Sequence, residues 1–295
     1  MTQAELTDVS RYYDLLDLWT RLNRGFRAFS GLEAGAIHRW LDDPVSGEFS
    51  PATIHNVMLA SGIDDRLPVV ALDAGCGYGG TMFALHAVLG GRWHGLTISR
   101  RQCAVGRRAA RRNGVADMVT FDCSSFDAPQ PDGHSLIYGI ESLVHSTDPA
   151  RTIANLARAL QPGGTFVIVD DMPVDALPAR FARDLASFKA LWRCPVMPSA
   201  AQWSAHLAAA GCEVIETRDL TDLMRPRCET DVSRAIEEVH RRRRWRDRLG
   251  LRRVGEAEIG GLLLERLGRE RAVRYMMIRA RRRDWRMNPK RPPRT

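Results

Sequence analysis

Val69-Val70-Ala71-Leu72-Asp73-Ala74-Gly75-Cys76-Gly77-Tyr78-Gly79-Gly80-Thr81 is the stretch that decides the fold. A short apolar run ends at Asp73, a glycine-rich turn follows, and a helix-like segment continues from Thr81 to Leu89. Glycine tolerates positive φ and lets a ligand lie against the backbone. Such a turn at the carboxyl edge of a parallel sheet is where α/β folds bind nucleotides.

The same texture repeats downstream. Trp93–Ile98, Met118–Asp122, Ser135–Ile140 and Thr165–Asp170 read as further strands, with helices at Gln102–Arg112 and Ala150–Leu160 between them. Strands alternating with helices predict a parallel sheet covered on both faces. The near-continuous apolar strands agree with two-sided burial. Cys212–Arg218 and Ala272–Ala280 are a sixth and a seventh candidate. Upstream, residues 5 to 41 carry Leu15, Leu18, Trp19, Leu22, Phe26 and Phe29 at helical spacing. Residues 42–51 read as a loop, 52–61 as a short helix and 172–210 as mostly helical. The domain reading is a helical lid at 1–60, a nucleotide-type core at 61–171 and a helical cap insertion at 172–210. Residues 211–287 complete the sheet around an Arg-rich helical insertion, and 288–295 form a disordered tail.

Composition narrows the classes. The 295 residues are 44% hydrophobic and 26% charged, which excludes collagen-like, coiled-coil and wholly disordered chains. No apolar run reaches the roughly 20 residues that span a bilayer. Met1–Asp8 lacks the basic and apolar regions of a secretory signal. Six scattered cysteines show no CxxC and no metal-type spacing, which suits a reducing cytoplasm and predicts no protein-held metal. The net charge is +8. The excess gathers at Arg107, Arg108, Arg111 and Arg112, at Arg241–Arg244 with Arg246, Arg248, Arg252 and Arg253, and from Arg279 to Arg294. Glu237 and Glu238 stand four residues before Arg241 and Arg242, so solvated, ion-paired helix faces are expected. Trp245 is the one aromatic in the second cluster, whereas nucleic-acid surfaces interleave basic and stacking residues. No nucleic-acid partner is expected, and a homo-oligomer is compatible with the sequence.

Gly75, Gly77 and Gly80 fit the GxGxxG of nicotinamide-dependent oxidoreductases, but that reading needs an acid ending the next strand. Here the strand ends Leu96-Thr97-Ile98-Ser99-Arg100. The alternative spacing, Asp73-x-Gly75-x-Gly77-x-Gly79, resembles motif I of the class I S-adenosylmethionine (SAM) methyltransferases. Gly95-Leu96-Thr97-Ile98-Ser99-Arg100-Arg101-Gln102 is similar to the GLTLSxxQ segment of the branch that holds cyclopropane fatty acid synthases and the sterol and tocopherol methyltransferases. Leu160-Gln161-Pro162-Gly163-Gly164 resembles the LxPGG turn of that family. Ile140-Glu141-Ser142-Leu143-Val144-His145 resembles the segment of the sterol and tocopherol enzymes after the fourth strand. The glutamate that precedes the His in cyclopropane synthases is Val144 here, so methyl transfer is expected in place of cyclopropanation.

The resemblance implies a seven-stranded, mostly parallel Rossmann-like methyltransferase sheet with a helical lid. It implies SAM held by Asp73, Gly75, Gly77 and Gly79, by Thr97, Ile98 and Gln102, by Cys123, Ser124, Ser125 and Ile140, and by Tyr13 of the lid. Glu141, His145 and, from a weaker match at residues 31–38, His38 are the candidate proton-handling residues. The acceptor expected under an apolar lid is a small isoprenoid or other natural-product-like metabolite, methylated at carbon. O- or N-methylation of an aromatic metabolite is the alternative. Lid arginines turned inward would suit a prenyl diphosphate, and Mg²⁺ would then accompany the acceptor. A non-catalytic SAM-binding protein is the reading left if the acceptor site has degenerated.

Overall fold

The computed structural model describes residues 36–63, 68–248 and 252–284, with the backbone alone at 243–247. Its centre is a seven-stranded sheet. The strands are β3 (Val70–Ala74), β4 (Arg92–Leu96), β5 (Val119–Asp122), β6 (His134–Ile140), β7 (Leu160–Pro173), β8 (Cys212–Asp219) and β9 (Val273–Arg282). Their spatial order is β5-β4-β3-β6-β7-β9-β8. The first five are parallel neighbours, and β9 pairs antiparallel with both β7 and β8. The doubly wound α/β sheet expected from the alternation is therefore present, with the order reversing beside β3.

Helices cover both faces: α2 (Gly80–Leu89), α3 (Arg100–Arg112), α4 (Pro149–Ala159) and α6 (Ala200–Ala209). Ser99 caps α3 by accepting from the Gln102 N–H, and Asp148 caps α4 by accepting from the Arg151 N–H. One core layer joins Trp93, Phe121, Tyr138 and Met82 on one face, and a second joins Phe166, Ile168, Trp203 and Leu156 on the other. Beyond β7, α5 (Ala182–Trp192) packs on α8 (Arg252–Arg269), which packs on α7 (Glu229–Arg248). Phe181, Phe188, Leu264 and Leu267 fill the core of that helical unit. Phe181 and Phe188 of the cap line this core, and Trp203 is buried against the sheet, so these aromatics serve packing.

Two expectations are corrected. The helix predicted to run to residue 41 is absent from residues 36–41, which are non-helical up to a two-residue strand, β1 (Leu41–Asp42). This strand pairs with β2 (Phe49–Ser50), so the stretch read as a loop is a small hairpin ahead of α1 (Thr53–Ala60). Side-chain contacts to the sheet edge hold 36–39 in place of helical periodicity. The Pro162-Gly163-Gly164 turn lies inside β7, with Gly163 at positive φ beside a register shift between His134 and Leu136 of β6. The rest of the lid helix, residues 5–35, and the tail from 285 lie outside the described residues.

Several arginines of these clusters are paired. Glu238 bonds both Arg241 (3.0 Å) and Arg242 (2.5 Å). Arg107 donates to the Phe121 carbonyl at the end of β5, and Arg279 to the Met58 carbonyl at the end of α1. No helix among the described residues is long and apolar enough to cross a membrane.

Phe166 is fully buried at the centre of β7. Phe166→Ala is expected to lower the unfolding free energy by about 3–5 kcal/mol in a urea titration.

Candidate active site

The carboxyl ends of β3, β4 and β6 converge on one edge. The β3 turn is tied down by its backbone: the Gly75 and Cys76 N–H groups both donate to the Leu96 carbonyl. Gly75 (φ 112°) and Gly79 (φ 83°) sit in conformations that disfavour a side chain. A Cβ on Gly75 would lie 2.3 Å from Ser142 Cβ, and one on Gly79 would lie 2.4 Å from Phe121 Cζ. Ser142 completes the closure by donating to the Ala74 carbonyl at 2.5 Å. Gly79 precedes α2, so unpaired N–H groups of the first turn open toward the loop.

Asp73, Gly75, Gly77, Gly79, Thr97, Gln102, Ile140 and Glu141 all gather at this edge. Thr97 and Gln102 are both buried, and Thr97 donates to Gln102 Oε1 at 2.7 Å. The carboxamide NH₂ of Gln102 is left to donate elsewhere. Ile98 is half-buried, and its carbonyl accepts from the Cys123 thiol at 3.8 Å, which places the Cys123–Ser125 turn beside the β4 end. Cys123 is exposed, and Ser125 accepts from the Asp127 N–H. Burial raises the Asp73 carboxyl to about 7, opposed by the neighbouring Tyr138 hydroxyl. Tyr13 lies outside the described residues.

Glu141 follows β6 in a left-handed conformation (φ 52°), unusual for a residue with a Cβ. Its Oε1 accepts from the Arg39 backbone N–H and shares a hydrogen bond with the Tyr275 hydroxyl, both at 2.7 Å. The Arg39 guanidinium turns inward and pairs with Asp171 at 2.6 Å, over the Tyr275 ring. Burial raises Asp171 to about 6, with Arg39 holding it down and Glu141 adding to the rise. Asp170, next along β7, is pushed well up by burial and by the neighbouring Asp171 and Glu141. Arg39 thus faces several acids.

His38 bonds the Thr81 hydroxyl at 2.9 Å in the first turn of α2, and burial lowers it to about 4. Ile37 lies over Gly77, 3.4 Å from where a Cβ would stand. The 36–39 segment therefore crosses the glycine turn and ends on Glu141. His145 Nδ1 donates to the Arg193 carbonyl at 3.1 Å, and burial lowers its pKa. The structure joins His38 and Glu141 through one segment and ties His145 to the Arg193 carbonyl. Arg39, His55, Asp171 and Tyr275 were not signalled by the sequence; only the Asp170-Asp171 pair after an apolar strand offered a clue.

Comparisons with known proteins identify the family. A methyltransferase-domain family model matches residues 71–164. An O-methyltransferase of Aspergillus nomiae is 32% identical over 227 residues, 75% of this chain and 95% of that protein. An O-methyltransferase of Penicillium expansum is 33% identical over 163 residues, 54% of this chain and 57% of the relative, so the chain spans little over half of that protein's length. Among solved structures, geranyl diphosphate C-methyltransferase from Streptomyces coelicolor A3(2), in complex with Mg²⁺, geranyl diphosphate and S-adenosyl-L-homocysteine, superposes with a TM-score of 0.66. It shares 17% identity and covers 94% of this chain and 98% of its own, a likeness of fold.

Because Asp73 binds a proton more tightly in the folded chain than its ordinary 3.8, its share of stability is largest at low pH and falls as pH rises from about 4 to about 7. Asp73→Asn is expected to flatten that fall; urea unfolding at about pH 5 and pH 8 checks it.

The aligned relatives, the domain match and the strand order leave one assignment: this chain is a class I SAM-dependent methyltransferase.

Proposed function

We propose that the enzyme transfers the methyl group of SAM to a hydroxyl of a small, largely apolar, natural-product-like acceptor, with Glu141 receiving the acceptor's proton. The observation that carries this reading is the placement of Glu141, whose backbone leads into Ser142, the residue pressed against Gly75 of the glycine turn. A carboxylate there stands beside the donor and the acceptor together.

SAM supplies an activated methyl on a cationic sulfonium. The cradle suits it: the glycine turn without side chains admits the methionine part, and the Thr97–Gln102 pair with the Cys123–Ser125 turn would hold the ribose and adenine. Asp73 would anchor the loop or meet the amino group. Orientation of donor and acceptor supplies most of the rate, and Glu141 adds proton acceptance. Ile37 and His38 exclude water above the turn.

Oxygen is favoured over carbon as the methylated atom because both sequence relatives above are O-methyltransferases. The diphosphate alternative is weakened by the pairing of arginines. Arg39 is matched by Asp171, and in the cap Arg266 is matched by Glu229 and Asp184, and Arg193 by Glu256. Among the described residues no group of His, Cys, Asp and Glu fits a metal, so any Mg²⁺ would arrive on a diphosphate acceptor.

Methyl transfer from labelled SAM to a panel of phenols, hydroxylated polyketides, isoprenoids and prenyl diphosphates with Mg²⁺ tests the reading. Labelling of hydroxylated acceptors is expected; labelling of prenyl diphosphates alone would replace it with C-methylation. Glu141→Gln is expected to lower kcat by about 10²–10⁴-fold while S-adenosylhomocysteine still raises the melting midpoint. Gly75→Ala is expected to abolish that rise, because the new Cβ meets Ser142 Cβ and not a flexible chain end.

A further inference from the structure

Behind Glu141 runs a line of hydrogen bonds that links three distant parts of the chain. His55, buried on α1, has Nδ1 3.0 Å from the Pro51 carbonyl and Nε2 2.7 Å from the Tyr275 hydroxyl. Tyr275, fully buried on β9, stands 2.7 Å from Glu141 Oε1. Tyr275 is paired with Asp171 in the sheet register, so the line crosses from β9 past β7 to the end of β6.

Proton counting constrains this line. A carbonyl oxygen only accepts, so His55 Nδ1 carries a hydrogen; the opposite tautomer would set two lone pairs against each other at 3.0 Å. The contacts from Nε2 to the phenol and from the phenol to Glu141 each need one proton, two in all. A neutral imidazole bonded to Pro51 has none to give at Nε2, a carboxylate has none, and the phenol has one. The contacts therefore need one proton beyond that complement. It resides either on Nε2, making an imidazolium that donates to Tyr275, or on Glu141, making an acid that donates to Tyr275 while Tyr275 donates to His55.

We propose that Glu141, Tyr275 and His55 form a relay that shares one such additional proton, and that Tyr275 and His55 are positioning residues that set the proton affinity of Glu141. The proposal rests on the reading of Glu141 as proton acceptor for its catalytic meaning, though the shared proton is measurable without any acceptor. Both forms of the relay accept the acceptor's proton with atoms balanced. In the imidazolium form, the acceptor's X–H bond breaks and an O–H bond forms at Glu141 Oε2. In the acid form, the same bond forms at Oε2, the Oε1 proton moves to the Tyr275 oxygen and the Tyr275 proton moves to His55 Nε2. The end state is the same: imidazolium, phenol and carboxylic acid. Later loss of one proton to water restores the resting relay.

The groups facing the relay set its field. His38 stacks on His55 at 5.1 Å between ring centroids, and burial keeps it neutral. Arg39 donates its N–H to Glu141 and lies over the Tyr275 ring, and Asp171 and Asp170 flank them on β7. Burial disfavours the charged forms of His55 and Tyr275. Moving one neutralising proton along the line avoids separating an isolated buried charge from water.

The test is NMR on the full-length protein labelled with ¹⁵N-histidine and ¹³C-glutamate, with His55 and Glu141 assigned through His55→Gln and Glu141→Gln. At pH 7 the wild type is expected to show either a doubly protonated His55 ring or a Glu141 carboxylic acid, and Tyr275→Phe is expected to abolish whichever is seen. A wild-type spectrum with a singly protonated His55 and an ionised Glu141 together would overturn the relay, without reference to any variant's folding. A folded Tyr275→Phe protein that keeps the extra proton would do the same. Once an acceptor is known, Tyr275→Phe is expected to shift the acidic limb of the kcat profile, whereas a merely structural role would lower kcat by the same factor at every pH. Failure of Glu141→Gln to reduce methyl transfer would remove the catalytic reading and leave the NMR result standing.

Discussion

The buried pairing of Arg39 with Asp171 is the constraint on which the arrangement of this edge depends. A guanidinium taken below the surface needs a carboxylate and good geometry, and leaving one partner alone there costs several kcal/mol. Asp171 supplies the partner at 2.6 Å from the middle of the sheet. That fixes the 36–39 segment across the carboxyl edge, and everything else on the segment follows. The Arg39 N–H reaches Glu141, His38 reaches Thr81, and Ile37 covers Gly77. One ion pair therefore sets the position of a backbone donor, a ring and an apolar cover over the glycine turn. It also leaves Glu141 with its Oε1 occupied.

Much of this was legible in the sequence, and the reasons are local. The run Val70–Ala74 is apolar because both sheet faces are covered, and the glycines after it are needed where Ser142 and Phe121 approach too closely for a Cβ. Thr97 and Gln102 could be read together because a strand end and the first turn of a helix lie five residues apart. Adjacent elements put their signals within one window of sequence.

What escaped the sequence was what only strand order brings together. His55 and Tyr275 are 220 positions apart, and Tyr275 and Glu141 are 134 apart. A lone Tyr in Val273–Arg282 looks like any core aromatic of a buried strand. Arg39 carried no signal of its own, and the helical periodicity ran past it to residue 41. Tertiary contacts outweighed that periodicity, since a helix through 36–39 could not deliver its backbone N–H to Glu141. The arginine-rich stretches were legible in kind: Arg241 and Arg242 do meet an acid one turn back, though Glu238 serves both. Arg107 and Arg279 instead clamp carbonyls at the ends of other elements, which a charge count cannot anticipate.

The place of β9 in the sheet has a consequence for synthesis. This strand enters between β7 and β8, antiparallel to both, although it follows them in the chain. As the polypeptide leaves the ribosome, β3 to β7 and their helices can assemble in order, but β8 waits without a neighbour and β7 shows an open side until residues 273–282 emerge. Open edges of this kind invite pairing with other chains. Tyr275 travels on the same late strand, so the hydroxyl that reaches both His55 and Glu141 arrives only when the sheet closes. A nascent chain halted before that point would hold the glycine turn without the phenol behind it, and completion of the fold and completion of the chemistry become one event.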